Sequence, residues 1–441
     1  MATIAQEPNK YNSAYVPNVW VLDNIGSADR YVLTVTINGS NVATFKQPAN
    51  PAGVGIFDIS KVLQSYLQTG FVEETQYAAD TPGVFESYQV SYGTETGFEV
   101  AYDGLSDTKH VINAYDNWRV LNSDLTPFLP NPTDELCENS NINARYASPL
   151  RFLTNFPGTY KVRSNEYKTL SFFARNTNIG PNWGPNEAPF FVLFTYYLNG
   201  SQVAQGVYTL SQFRGSSLRT NCQDMTVNIS DDNAITTIGV GPQNQADAGI
   251  SGNWDSYKVE VYSYNNCMTT TIADCQDFGE ILTDGYLGDV IYRADFVIED
   301  ACTAFDPITV SFMNQYGVRD YHTFDRRNTR TTTTSRNNYN KTLGSWSASS
   351  FSIDPVGRGK TTFSSEVVTN MTLSTNWMDD ETSKWLEELF VSPSTMIYVD
   401  GAWEPCVITT TNYDQRTYAR SSMFQHEIEV EFSNNKNIQR G

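Results

Sequence analysis

The side chains with the clearest chemical potential in this sequence form a basic cluster in the last third of the chain. The chain as a whole carries a formal net charge of −20. Because guanidinium groups pair with carboxylates through two parallel hydrogen bonds, an acidic surface on a neighbouring protein is the expected partner. A solvated loop or hairpin tip is the other explanation of the same run. The candidate interface residues, spread over sixteen positions, are Arg326, Arg327, Arg330, Arg336 and Lys341.

A glycine-rich run at Asp354–Thr361 ends in Gly-Lys-Thr and is the nearest approach to a nucleotide motif. A phosphate-binding loop requires a glycine six residues before its lysine, where the chain turns its N–H groups towards phosphate. That position holds Asp354, whose carboxylate repels phosphate. The residues that follow have the composition of a strand, whereas a phosphate-binding loop leads into a helix. The sequence therefore predicts no nucleotide cofactor.

Patterns for catalysis and metal binding are also missing from the sequence. His110, His322 and His426 are scattered and form no metal-binding pair. The acidic clusters that begin at Asp231 and Asp379 lack the alternating spacing of a calcium loop. We therefore predict no catalytic residue, no cofactor, no metal site and no enzymatic activity. Carboxylates that converge only in space, as in a glycan-degrading enzyme, remain the alternative.

Composition limits the classes of partner. The large negative charge disfavours nucleic acid, because binding phosphates needs a basic surface. The N-terminus lacks the pattern of a signal peptide, and no apolar run approaches the length of a membrane helix. The six cysteines show no C-x-x-C spacing and are expected to be reduced. We predict a protein made in a cytoplasm that binds neither nucleic acid nor membrane.

The elements that must position the basic cluster are predicted most clearly near the C-terminus. Asp379–Val391 has acidic residues at its start and an apolar stripe that includes Trp385 and Leu389, which is typical of a helix lying on a core. The run Phe424–Phe432 alternates apolar and acidic residues with period two, so one face of that strand is predicted to be buried. His426 falls on the apolar side and is expected to be a core or interface residue.

Two similar hairpin signals occur earlier in the chain. The runs Asn38–Ala43 and Asn199–Ala204 both begin Asn-Gly-Ser and follow strand-like segments, and Asn-Gly is typical of a two-residue hairpin turn. Convergent hairpin chemistry and two related β-sandwich domains both explain the likeness. A short helix is predicted near residues 60–68, with Ser60 as its N-terminal cap.

These elements predict a mostly β protein built from consecutive antiparallel β-sandwich-like domains, with a C-terminal module that carries one short helix on a sheet. Pro, Asn and Ser accumulate between the two hairpin regions, which is typical of a linker. The predicted boundaries are an N-terminal arm at 1–10, a β domain at 11–124, a Pro/Asn-rich linker at 125–149, a β-sandwich domain at 150–284 and a C-terminal α+β module at 285–441.

From residue 310 onward the chain resembles a family of virion structural proteins of tailed bacteriophages, of the type associated with the tail or baseplate. The resemblance rests on Val310–Gly317, the aromatic strand Asp320–Phe324, the basic segment Arg326–Tyr339, the W-L-E-E-L-F core of Trp385–Pro393, the ending Ile428–Phe432 and the tail Asn434–Arg440. A weaker likeness covers Tyr31–Leu67. These are folding motifs, so the resemblance implies ancestry and a virion context and no particular reaction.

The resemblance implies a non-enzymatic structural component of a tailed-phage virion, in the tail, baseplate or adaptor region. Its partners would be other copies of itself and neighbouring virion proteins, held by symmetric contacts. Its location would be the virion, assembled in the host cytoplasm. The alternative is a tail module that binds a glycan or receptor on the host surface, and a third hypothesis is a glycan-degrading enzyme.

Overall fold

A computed structural model gives the structure of the protein. It divides the chain into two compact units, one formed by Met1–Ala301 with Met313–Asp320 and the other by Cys302–Phe312 with Tyr321–Gly441. Strands dominate both units, which confirms the predicted mostly β fold, and the described residues contain three helices. The described residues are 1–68, 78–80, 83–116, 125, 128, 150–173, 189–209, 235–247, 249–264, 287–300, 305–353, 356, 359–410 and 423–434.

The larger unit begins with a β-sandwich made of a three-stranded and a six-stranded sheet. Its elements, together with β7 of the next sandwich, are β1 (Thr3–Gln6), β2 (Tyr11–Ser13), β3 (Val19–Asp23), β4 (Arg30–Ile37), β5 (Ser40–Gln47), β6 (Gly55–Asp58), α1 (Ser60–Gln64), β7 (Ala78–Asp80), β8 (Phe85–Thr96), β9 (Glu99–Leu105) and β10 (Lys109–Ile112). The strand orders are β1-β3-β6 and β2-β10-β8-β4-β5, with β9 paired to β8. Trp20, Leu22, Leu33, Val35 and Val90 fill the space between the sheets and are fully buried.

A second β-sandwich follows in the same unit. Its elements are β11 (Tyr160–Val162), β12 (Thr169–Phe173), β13 (Pro189–Leu198), β14 (Ser201–Thr209), β15 (Ile235–Gly239), α2 (Pro242–Asp247), β16 (Ser256–Tyr264) and β17 (Leu287–Ile298). The strand orders are β11-β17-β16-β13-β14 and β12-β15-β7. Its core is rich in aromatic residues, and Phe172, Val192, Ile238, Val259 and Tyr292 come from five different strands.

The two sandwiches share one order of elements. In the larger sheets, β2, β10, β8, β4 and β5 correspond in position to β11, β17, β16, β13 and β14. The outermost strand of each set, β2 or β11, runs parallel to its neighbour, whereas the neighbouring pairs that follow it are antiparallel. In the smaller sheets, the pair β3 and β6 precedes α1 just as the pair β12 and β15 precedes α2.

The hairpins of the two sandwiches agree in detail. Asn38 and Asn199 have φ of 49° and 52°, and the glycine after each has φ of 73° and 77°, as a two-residue turn of this hand requires. Each hairpin then has a β-bulge at the same offset, where Val42 in one and Val203 in the other lack a cross-strand partner. This agreement favours two related β-sandwich domains over convergent hairpin chemistry.

In its described residues, the smaller unit contains a seven-stranded sheet, a separate two-stranded sheet and one helix. In chain order its elements are β18 (Ile308–Met313), β19 (Arg319–Phe324), β20 (Asn328–Asn340), β21 (Ser345–Ser347), β22 (Ser350–Ser352), β23 (Lys360–Ser374), α3 (Asp380–Val391), β24 (Thr395–Val399), β25 (Ala402–Ile408) and β26 (Glu427–Phe432). The strand order is β19-β18-β24-β25-β26-β23-β20, and β21 pairs with β22 separately.

Helix α3 packs on one face of this sheet as predicted. The Trp385 ring lies 5.5 Å from that of Phe312 between centroids, and Leu386 and Leu389 are fully buried. The Asp379 carboxylate caps the helix by accepting a hydrogen bond of 2.7 Å from the Thr382 N–H. The predicted C-terminal module with one helix on a sheet is therefore present.

Several sequence expectations differ from the structure. Residues 3–6 of the predicted arm form β1 and pair with β3. Strand β17 pairs antiparallel with β16, so this part of the predicted 285–441 module belongs instead to the second sandwich, where Ile291 and Tyr292 are buried. Helix α2 was not predicted. Ser60 is the first residue of α1 and provides no cap, because its hydroxyl donates to Asp58 instead.

The predicted linker 125–149 lies outside the described residues except for Leu125 and Phe128, both of which are buried. Of the six cysteines, Cys406 is the one that the structure describes, and its buried thiol is in no disulfide.

Candidate functional site

The most unusual feature of the described structure is a two-stranded extension of the seven-stranded sheet. Strands β20 and β23 pair from Asn328–Leu373 out to Asn340–Lys360. Strand β26 accompanies β23 only from Asn370 to Ser374. We call residues 332–340 and 360–369, with the segment that joins them, the ribbon. Nine residues of strand extend over about 30 Å, so the ribbon is as long as a small domain is wide.

The ribbon is extended because of its local sequence. Thr331–Thr334 is a run of four β-branched residues, which favour the extended backbone without burial. The Asn337 side-chain amide donates to the Ser364 hydroxyl at 3.1 Å. The Thr362 hydroxyl donates to the Asn338 side-chain oxygen at 2.9 Å. A bulge leaves Phe363 without a cross-strand partner. Within the described residues, neither ribbon edge pairs with a third strand.

Exposure distinguishes the ribbon from the rest of the sheet. Every residue of β20 after Asn328 is exposed. Large apolar side chains are concentrated at the far end, where Trp346 and Phe351 face each other across the small β21–β22 hairpin. Contiguous exposed apolar residues of this size mark contact surfaces in soluble proteins. The exposed large apolar residues described in the ribbon, with exposures of 47–83%, are Tyr339, Leu343, Trp346, Phe351, Ile353, Val356 and Phe363.

The structure divides the five predicted interface residues into two groups. Arg326 donates to the Asn376 side-chain oxygen at 2.7 Å. Arg330 forms an ion pair of 3.1 Å with Asp400, and its guanidinium lies 5.1 Å from the centroid of the Phe432 ring. Both are therefore held within their own chain. The remaining three, Arg327, Arg336 and Lys341, are exposed and form no ion pair or side-chain hydrogen bond among the described residues.

Two of those three lie on the ribbon, which gives it a charge opposite to that of the chain. The described residues from Thr331 to Thr369 include three basic side chains, those of Arg336, Lys341 and Lys360, and one acidic side chain, that of Glu366. Three minus one gives a net charge of +2, in a chain of −20. Arg336 therefore lies on an exposed strand and Lys341 follows directly after it, where the sequence allowed a loop, a hairpin tip or a contact surface.

The opposite charge occurs on β26 of the same sheet. Ile428, Val430 and Phe432 are buried on the helix side, where His426 forms a hydrogen bond of 2.9 Å with the Ser383 hydroxyl of α3. The other face carries the exposed Glu427 and Glu429 and the half-buried Glu431. This confirms the predicted alternation and the core position of His426. We call the side of the sheet that bears these three glutamates the acidic face.

Burial shifts the pKa of two ionisable groups in the larger unit. Burial lowers the pKa of His110 to about 4, and the ring stacks on Tyr11 and Phe85 at 4.8 and 5.3 Å between centroids. Burial also lowers the pKa of Lys168, while the charges of Glu166 and Asp320 act in the opposite direction. The Lys168 ammonium lies 4.7 Å from the centroid of the Tyr160 ring.

The turn that presents Asp320 is held to the second sandwich by hydrogen bonds. The Thr154 hydroxyl donates to Asp320 at 2.8 Å, and the Asn314 side chain donates to the Leu153 carbonyl at 2.8 Å. Gly317 has φ of 77°, and a Cβ there would lie 2.3 Å from the Asn113 carbonyl oxygen. The turn Asn314–Gly317 therefore needs its glycine for both backbone conformation and space.

The candidate nucleotide motif does not form a phosphate site in the part of it that is described. Lys360 and Thr361 start no helix but are the first residues of β23, the strand predicted to follow them. Asp354, Gly357 and Arg358 lie outside the described residues. Among the described residues, no group of three His, Cys, Asp or Glu side chains could hold a metal ion. The helices that the structure describes are all too short or too polar to cross a bilayer.

Sequence reasoning missed the apolar end of the ribbon. The signal was present as isolated aromatic and aliphatic residues in the Ser- and Gly-rich run 343–353, but such a run is typical of a loop. Burial cannot be read from single apolar residues without a period. These residues are exposed because β20 and β23 continue beyond the end of the neighbouring strand β26.

Comparison with known proteins identifies no family. No protein-family profile matches the chain, and no curated protein sequence does. Among solved structures, fibronectin(III)-like modules of CbhA from Clostridium thermocellum align with 8% identity and a TM-score of 0.14, over 68% of this chain and 94% of theirs. Extracellular domains 3–5 of Drosophila OTK align with 10% identity and a TM-score of 0.19, over 84% and 92%. Scores this low carry no argument about function.

Proposed function

We propose that this protein is a non-enzymatic structural subunit of a tailed-phage virion, in the tail, baseplate or adaptor region, and that the ribbon is its principal contact with neighbouring subunits. The single observation that carries the contact role is the ribbon itself. It has two unpaired strand edges and an apolar far end, and neither is covered within the described chain. The virion context rests on the sequence resemblance from residue 310 onward.

Physical reasoning supports a covered state for the ribbon. Unpaired strand edges attract other strands, and native proteins normally shorten, charge or cover them. This ribbon carries charges, but it is long and presents at least six large apolar side chains. Two-stranded ribbons are also marginally stable alone in water, so a partner that adds a strand or a packed surface would stabilise it.

A ribbon deletion tests this proposal. Thr331 and Asn370 pair directly across the two strands, so residues 332–369 can be replaced by Asn-Gly to close a two-residue turn at the edge of the remaining sheet. We expect the variant to fold with a melting temperature close to that of the full chain and to be missing from purified particles. Mass spectrometry of those particles measures incorporation.

The matched control is Phe98→Ser, which removes another large apolar side chain that is 99% exposed at a hairpin turn. It should enter particles normally. Particles that contain the ribbon-deleted chain at the normal copy number would overturn the contact role. Absence of the full-length chain from purified particles would overturn the virion assignment itself.

The exposed pair Trp346 and Phe351 favours a second candidate, a host-surface glycan-binding tail module. Exposed aromatic rings stack on the apolar faces of sugars, and these two lie side by side on one hairpin. Binding of the isolated protein to host cells, lost on Trp346→Ala, would support this candidate. Normal cell binding by that variant would exclude these rings as the platform.

A further inference from the structure

The basic side chains of the ribbon lie together on one of its faces. Arg336, Asn338 and Asn340 alternate along β20 and therefore point to the same side. Lys360 pairs with Asn340 across the ribbon and shares that side. Four residues of strand separate the Arg336 and Asn340–Lys360 levels by about 13 Å. This face presents two positive charges at a fixed spacing.

The acidic face offers a matching row. Glu427 and Glu431 are also four residues apart on one strand, which again gives about 13 Å. Their cross-strand neighbours add apolar and amide groups, because Glu431 pairs with Val407, which is 57% exposed, and with Asn370. Glu429 accepts a hydrogen bond of 3.0 Å from Asn370, and none of the three glutamates forms an ion pair among the described residues.

One chain cannot bring these two surfaces together. Arg330 pairs with Met371, and Met371 pairs with Val430, so this side of β20 continues the helix side of the sheet. Arg336 has the same parity as Arg330 and therefore points away from the acidic face. The two surfaces are also far apart along the sheet. Glu429 pairs with Thr372 of β23, which lies seven residues from the position on β23 that pairs with Arg336, a distance of about 23 Å.

We propose that the ribbon of one copy binds the acidic face of a second copy of this chain. The inference rests on the proposed function and specifies the partner of the ribbon. Arg336 and Lys360 pair with the glutamate row, and apolar side chains of the ribbon, such as Phe363, lie near Val407 of the next copy. Because the two surfaces are different, the contact is head-to-tail, and its repetition gives a ring or a helical stack.

Charge reversal on each surface tests this pairing in the purified full-length protein. Sedimentation measures self-association at low ionic strength. Arg336→Glu with Lys360→Glu should weaken self-association about tenfold or more, and so should Glu427→Lys with Glu431→Lys, because each places like charges opposite each other. Salt should weaken self-association of the unmodified protein in the same direction.

Mixing the ribbon variant with the acidic-face variant tests whether the contact is head-to-tail. The ribbon variant keeps an intact acidic face and the face variant keeps an intact ribbon, so an equimolar mixture should form heterodimers that neither variant forms alone. The fourfold variant, with all charges exchanged, should recover self-association. Glu427→Gln with Glu431→Gln provides a milder face variant if the lysine variant fails to fold.

The outcomes separate this inference from the proposed function. A full-length protein that stays monomeric at every attainable concentration, or a fourfold variant that does not recover, would overturn the pairing between copies. If the ribbon-deleted chain is nevertheless excluded from particles, the ribbon has another virion protein as its partner and the proposed function stands. Self-association that the face variant keeps and the ribbon variant loses would overturn the pairing with the acidic face and indicate a ribbon-to-ribbon contact instead.

Discussion

The two ends of strand β23 both pair with β20, but one end is buried in the core and the other is exposed or half-buried. Both ends pair with β20 in one antiparallel ladder, but Met371 and Leu373 are buried whereas the stretch from Lys360 to Val368 remains open to solvent or half-buried. The difference is the presence of β26 and α3 beside one end only. Backbone pairing alone therefore gives an extended shape, and the third strand and the helix provide the core. Stability should depend on the covered end and assembly on the ribbon.

The largest effect is expected at the centre of the covered end. Trp385→Ala removes a ring that is 2% exposed and touches Phe312, so the smaller unit should lose about 3–5 kcal/mol of unfolding free energy. Chemical denaturation followed by tryptophan fluorescence measures the loss. Trp377→Ala is the matched control, because Trp377 is 57% exposed and its removal should change little. Equal effects of the two substitutions would contradict the comparison.

Acid should destabilise the covered end through His426. Burial lowers the pKa of His426, so the unfolded chain takes up a proton at a higher pH than the folded chain. The contribution of neutral His426 to the unfolding free energy is fully present above the ordinary histidine pKa of about 6.5. It is lost as the pH falls towards the lower pKa of the folded state. Denaturation curves between about pH 7.5 and pH 5 measure the loss.

His426→Gln isolates this effect, since an amide can bond Ser383 without titrating in this range. The variant should have a flatter dependence of unfolding free energy on pH. The ribbon has no histidine between residues 332 and 369, so its hydrogen exchange should show no corresponding change in this window. A variant with the same pH dependence as the unmodified protein would rule out His426 as the titrating group.

A smaller effect is expected at the start of α3. Asp379→Ala removes the acceptor for the Thr382 N–H and should cost about 1 kcal/mol. Asp379→Asn keeps an acceptor oxygen and should restore most of that stability. Thermal unfolding of the two variants measures the difference. An alanine variant as stable as the asparagine variant would show that solvent replaces the cap at no cost.

The smallest effect on stability is expected on the ribbon. Trp346→Ser removes a ring that is 68% exposed and should change the unfolding free energy by less than about 0.5 kcal/mol. The same substitution should reduce incorporation into particles. A large loss of stability would mean that Trp346 supports the fold and would remove the contrast with the covered end.

Local signals explain which parts of this fold the sequence predicts. The Asn-Gly turns, the capped helix α3 and the alternation of β26 each depend on a few neighbouring residues, and all three occur as predicted. Long-range pairing has no such signal. Nothing near Ala78–Asp80 indicates that β7 joins the second sandwich, and nothing near Lys168 indicates that Asp320 lies in its electrostatic environment.

The candidate site was predicted only in part, because local composition is visible in the sequence and long-range contacts are not. The excess of basic residues from Arg326 to Lys341 was visible as composition, and the ribbon now accounts for Arg336 and Lys341. The internal partners of Arg326 and Arg330 could not be predicted, because Asn376 and Asp400 come from other elements. A strand that is polar on both faces has no period from which its exposure could be inferred.

The agreement between the two sandwiches also says something about descent. Seven strands and one helix of Tyr11–Ile112 correspond in order to the described elements of Tyr160–Ile298, with the same bulged hairpin, whereas β7 and β9 have no described counterpart. Duplication and fusion of one ancestral gene segment accounts for this arrangement more simply than two separate origins do. Equivalent positions in the two copies can therefore be compared with each other. Under a duplication, differences between them, such as the buried Lys168 in the second copy, arose after the two copies diverged.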